Sequence, residues 1–110
     1  MEIVFKTNKL KKQLTVSKDL LKTFGQRAKK VNQRIEDLKA AENLSIMGLI
    51  PAAKCHELEG DRKGQLAVKV SDNYRLIFEP NHDPTPRKED GGLNWEQITV
   101  IKILEIKDYH

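Results

Sequence analysis

The residues able to move protons or hold anions are few, and most lie in the second half of the chain. Three histidines are present, His56, His82 and His110. His110 closes the run Asp108-Tyr109-His110, and His56 opens a polar stretch that carries Arg62 and Lys63. Arg75 sits in an otherwise apolar run, Tyr74-Arg75-Leu76-Ile77-Phe78. Histidine suits acid–base work because its ordinary pKa is about 6.5. Arginine suits a phosphate because its planar fork donates paired hydrogen bonds to an anion. Taken one by one these residues also have plain readings: Arg75 on the wet face of a strand, Arg62-Lys63 in an ordinary turn, and Asp108-Tyr109-His110 as a solvated tail.

Other chemistries lack their residues. No two histidines, and no cysteine–histidine pair, have metal-ligand spacing, because adjacent Cys55 and His56 point apart on a strand. No glycine-rich phosphate loop of the Walker or dinucleotide type occurs. Cys55, the sole cysteine, reads as a packing residue rather than a nucleophile. Neither a metal nor an organic cofactor is expected.

These side chains need a frame. The chain has 110 residues, 38% of them hydrophobic and 33% charged, which suits one domain spanning 1–110 with a modest core. No apolar run is long enough for a membrane span, the start lacks signal-peptide character, and one cysteine forms no internal disulfide. A cytoplasmic protein without a membrane partner is the expectation. The net charge is +4 but unevenly spread. Residues 1–40 hold 11 Lys/Arg against 4 Asp/Glu, whereas residues 41–110 hold 9 against 12. A basic segment of that kind, with Lys29 and Lys30 near its middle, suits a polyanionic partner, although lysine-rich helices are often simply solvated.

Ile3-Val4-Phe5 reads as a strand, and 8–14 as a brief helix. Ser17 caps a longer amphipathic helix whose stripe runs Leu20, Leu21, Phe24, Ala28, Val31, Ile35, Leu38, with Gly25 marking a bend or break. Residues 42–49 form a last helical piece, stopped by Gly48 and Pro51. Residues 65–70 alternate as a half-buried strand that also carries Lys69, 71–73 turn, and 74–79 form the next strand. Residues 80–97, with three prolines and Gly91-Gly92, read as a long exposed loop. The run 98–106 is apolar on both parities and reads as a central strand. Helices first and hairpin strands afterwards give α+β: an N-terminal strand and helices packed on one face of a small antiparallel twisted sheet.

In combination, the segment from His56 through Gly60-Asp61-Arg62 to Gln65, the run Asn73-Tyr74-Arg75, and Asp108-Tyr109-His110 resemble the HigB group of the RelE/ParE toxin superfamily. The resemblance runs from about residue 41 to the end. It implies a RelE-like fold and a cytoplasmic, metal-independent endoribonuclease that cuts ribosome-bound mRNA. It also implies a cognate HigA-like helix-turn-helix antitoxin. Arg75 then serves transition-state charge, and His56 and His110 are the acid–base pair with their order open. Asp108 acts as base or orients a histidine, and Tyr109 positions substrate or donates a proton. Arg62, Lys63, Lys69, Lys29 and Lys30 are expected on messenger or ribosomal phosphates. Glu59 and Ser71 stand where some members carry basic residues. The competing expectations are a ParE-like gyrase inhibitor sharing this fold, and a basic nucleic-acid-binding domain without catalysis.

Overall fold

The computed structural model describes residues 1–108. The first strand, β1 (Glu2–Phe5), leads into three helices: α1 (Asn8–Thr15), α2 (Ser17–Phe24) and α3 (Ala28–Ala40). Thr7 caps α1 by accepting a hydrogen bond from the Leu10 amide at 3.1 Å. The expected break falls at Gly25, whose φ of +54° lies in the region that favours glycine, and a single 3-10 turn (Gly25–Arg27) separates α2 from α3. A short α4 (Leu44–Met47) completes the helical half. Four strands follow: β2 (His56–Glu57), β3 (Leu66–Lys69), β4 (Tyr74–Pro80) and β5 (Val100–Asp108).

The sheet order is β1-β5-β4-β3-β2. The α+β class stands, and β5 is an interior strand, paired on both sides, with β4 at the centre of the sheet. The sheet is antiparallel except at one edge, where β1 runs parallel to β5. Parallel neighbours need a long crossover, and the helices and hairpins between β1 and β5 supply it.

The core lies between the helices and one sheet face. Val31, Ile35 and Leu38 of α3 pack in one cluster with Leu66, Val68, Leu76, Phe78, Ile101 and Ile103. The helical residues recur every three or four positions and the strand residues every second, so each element turns one stripe inward. Between Ile77 and Phe78 the β4–β5 register shifts: Ile77 faces Glu105, Phe78 faces Ile103, and Leu104 is the extra residue of a bulge.

The 80–97 segment is largely the exposed loop its prolines and glycines imply, but it is anchored at a few points. Pro80 continues β4, Arg87 and Leu93 form an antiparallel bridge, and Leu93 and Ile98 are buried. Trp95 packs against the core and its Nε1 donates to the Glu57 carboxylate at 3.1 Å. His82 accepts at Nε2 from the amides of Thr99 and Val100, at 3.1 and 3.2 Å. Sparse apolar anchors hold this segment, and periodicity does not register them.

Candidate active site

Side chains of directly paired residues project from the same face of a sheet. Leu66, Val68, Leu76 and Phe78 take the helix side, so their alternates take the other. Two rows result on that outer face. One is His56–Ala67–Ile77–Glu105 across β2, β3, β4 and β5. The next is Lys69–Arg75–Lys107 across β3, β4 and β5. The second row sets three cations side by side. Like charges placed directly opposite destabilise a sheet, and a bound anion relieves that repulsion.

Arg75 and Lys69 are fixed from the β3–β4 turn. Arg75 donates through Nη1 to the carbonyls of Ser71, Tyr74 and Asp72, at 2.7, 3.1 and 3.2 Å. Lys69 Nζ lies 3.2 Å from Asp72 Oδ1. That hydrogen bond, reinforced by the charges of Lys69, Lys30 and Arg75, holds the Asp72 carboxyl below the ordinary carboxylate range. The turn therefore concentrates positive charge around one exposed carboxylate.

His56 follows Lys54, which adopts the left-handed conformation (φ +45°). This bend brings the Lys54 carbonyl 2.8 Å from His56 Nδ1. A carbonyl only accepts, so Nδ1 carries a proton, and Nε2 is the nitrogen left to face substrate. His56 is exposed. It lies two strands and two residues from Arg75, about 12 Å between Cα atoms from ideal sheet spacings. The two side chains share a face without sharing a row.

Asp108 faces Tyr74 in the β4–β5 ladder, and Tyr74 packs against the core. Asp108 therefore belongs to the helix side, one residue from the row of Arg75. Tyr109 and His110 lie outside the described residues. Two basic residues beyond the expected set join this end of the sheet. Lys107 is the ladder partner of Arg75, and Arg27 stacks over the Tyr74 ring at 4.6 Å from its centroid. Alternation along 100–108, continued past Ile106, signals Lys107. Nothing local in sequence signals Arg27.

The other basic residues divide. Arg62, half-buried, donates to Gln65 Oε1 at 2.8 Å and to Glu105 Oε2 at 2.9 Å. To reach Glu105 it crosses the outer face where Ala67 and Ile77 lie buried. Lys63, Lys29 and Lys30 are exposed, the first on the glycine turn and the other two on α3. Burial pushes the Cys55 thiol up to about 12, with the nearby Glu57 charge adding to it, so its nucleophilic form is suppressed. Among the described residues no group of three or more His, Cys, Asp or Glu is gathered to hold a metal ion. No helix among them is long and apolar enough to cross a membrane.

Comparison with known proteins fits this geometry. Three solved structures share the fold. The YoeB/ParE toxin from Agrobacterium tumefaciens has a TM-score of 0.57 at 13% identity, covering 100% of both chains. A YoeB–YefM complex from Staphylococcus aureus has a TM-score of 0.54 at 14% identity, covering 100% of this chain and 98% of the other. A mutant of YafQ from E. coli has a TM-score of 0.53 at 14% identity, covering 97% of this chain and 91% of the other. Among curated proteins, no sequence matches. The family model that matches, over residues 4–84, describes the RelE-like HigB toxin of type II toxin–antitoxin systems, and it spans the helical half, His56 and Arg75. The chain belongs to this family of HigB-like toxins.

Proposed function

We propose that this toxin is a metal-independent endoribonuclease that cuts mRNA on the ribosome, in the cytoplasm, and that a HigA-like helix-turn-helix antitoxin holds it inactive. The observation that carries the reading is the Lys69–Arg75–Lys107 row, with His56 on the same face and the chain running on from Lys107 into Asp108-Tyr109-His110. Family membership and the YoeB–YefM complex among the fold's relatives support the antitoxin partner.

The chemistry assigned to the site is transesterification. A base takes the ribose 2′-OH proton, the 2′-oxygen bonds to phosphorus, and the P–O5′ bond breaks. An acid then protonates the leaving 5′-oxygen. Arg75 donates to the non-bridging oxygens as charge builds, with Lys69 and Lys107 adding field. His56, with its proton on Nδ1, takes the base role through Nε2, and His110 the acid role. Asp108 and Tyr109 position that end of the site. Lys63 and Lys29 make phosphate contacts that contribute affinity without reading sequence.

The test is purified toxin, with ribosomes, on a translated message. Cleavage should leave a 2′,3′-cyclic phosphate and a 5′-hydroxyl, and stop where the attacking nucleotide is 2′-deoxy. Cleavage of the 2′-deoxy substrate would exclude the 2′-OH mechanism, and products ending in a 3′-hydroxyl and a 5′-phosphate would point instead to attack by an activated water.

A further inference from the structure

A groove beside the proposed site is built from three separate elements. It lies between α3, the 3-10 turn Pro51–Ala53 and the β3–β4 turn, with a volume of about 320 Å³. Lys30, Arg34, Lys54, Lys69 and Asp72 line it together with Ala52. Four cations thus surround one carboxylate.

The cations differ in what holds them. Arg34 is part of the wall: its Nε donates to the Lys69 carbonyl at 2.7 Å and its Nη1 pairs with Asp37 at 2.9 Å. Lys69 is neutralised by Asp72. Lys30 and Lys54, exposed on opposite walls, make no ion pair among the described residues. Among the described residues Asp72 is the sole acid lining the groove, and its side chain is 96% exposed. A freely solvated carboxylate is therefore the anion that Lys69 holds.

We propose that this groove is a phosphate subsite for the message strand, flanking the scissile position, and that in the free toxin the Asp72 carboxylate at its rim holds Lys69 in place of a phosphate. The inference rests on the nuclease reading and extends it. Lys69 is the ladder partner of Arg75, and Arg75 donates to the Asp72 carbonyl, so the groove borders the row that receives the cleaved phosphate. The Lys54 carbonyl also holds His56, which joins the groove to the base. A phosphodiester oxygen entering between Lys30 and Lys54 displaces Asp72 from Lys69. The strand thereby exchanges a weak exposed ion pair for contacts with three ammonium groups.

The test uses binding, separate from cleavage. A short 2′-O-methyl RNA is titrated into the whole toxin across a salt series, because this probe has no 2′-OH to react. Lys30→Gln and Lys54→Gln should each weaken binding about threefold and lower the salt slope by about 0.7. Asp72→Asn should shift both quantities the opposite way. That direction cannot come from misfolding. Unchanged affinity and slope in all three variants would overturn the proposal. Loss of ribosome pelleting without change in oligonucleotide binding would overturn it too, since the cations would then serve ribosomal RNA. A wild-type toxin that binds the probe with these responses yet cuts no RNA would sink the nuclease reading and leave the groove standing.

Discussion

Lys69 stands directly opposite Arg75 in the β3–β4 ladder, and the turn joining their strands holds each differently: the Asp72 carboxylate pairs with Lys69 while backbone carbonyls take Arg75 Nη1. Arg75 is oriented by carbonyls, which leave its positive charge in place.

Arg75→Ala should lower kcat about a hundredfold to a thousandfold, the usual effect of removing one preorganised donor to developing negative charge. Its bonds to the turn are exposed or half-exposed, so thermal unfolding should report a loss of only about 1 kcal/mol. Single-turnover cleavage beside a melting curve checks both. Equal losses of rate and stability would make Arg75 a structural staple.

Arg62 is expected to act differently. Arg62→Ala removes the 2.9 Å pair to Glu105 and the bond to Gln65. With Glu105 more than a third exposed, the stability loss should be about 1 kcal/mol or less, shrinking as salt rises. Denaturant titration at low and high salt measures it. A large cleavage defect at unchanged stability would instead put Arg62 on phosphate.

Cys55 should be inert in the native protein. Its thiol is pushed from the ordinary 9 to about 12, so at about pH 8 its thiolate fraction falls on the order of a thousandfold, and iodoacetamide should label it quickly only after unfolding. The linkage has a definite sign. Below the unfolded value of 9 both states keep the proton, and stability is unaffected. As pH rises through 9 towards 12 the unfolded chain loses its proton first, and stability falls. Native labelling as fast as a free thiol would contradict this burial.

Phe78→Ala should test the core. Phe78 is fully buried among residues of both layers, and its truncation should cost about 3–5 kcal/mol. Out of a typical 5–15 kcal/mol for a domain, that is enough to lower the soluble yield sharply.

The sequence makes the two-layer frame legible because its periods differ: Val31, Ile35 and Leu38 repeat as a helix, and Leu66, Val68 and Val70 as a strand. Gly25 marks the break between helices for a local reason, its positive φ. The row of cations is half legible. Alternation places Lys69 and Arg75 on wet faces, but only strand register sets them opposite each other and adds Lys107. Asp108 is separated from Arg75 by the same rule, since one residue reverses the face. The 80–97 segment is the least legible. Its order depends on Leu93 and Trp95 reaching distant parts of the chain, and no local pattern encodes such contacts. Arg27 likewise meets Tyr74 only through the tertiary fold.

The most direct test is to induce the toxin in bacteria without an antitoxin and map new 5′ ends on cellular mRNA, beside Arg75→Ala and His110→Ala. The account predicts growth arrest with cuts inside translated regions for the wild type, and neither for the two variants at equal soluble levels. Growth arrest with intact mRNA would contradict it and point to a target other than RNA.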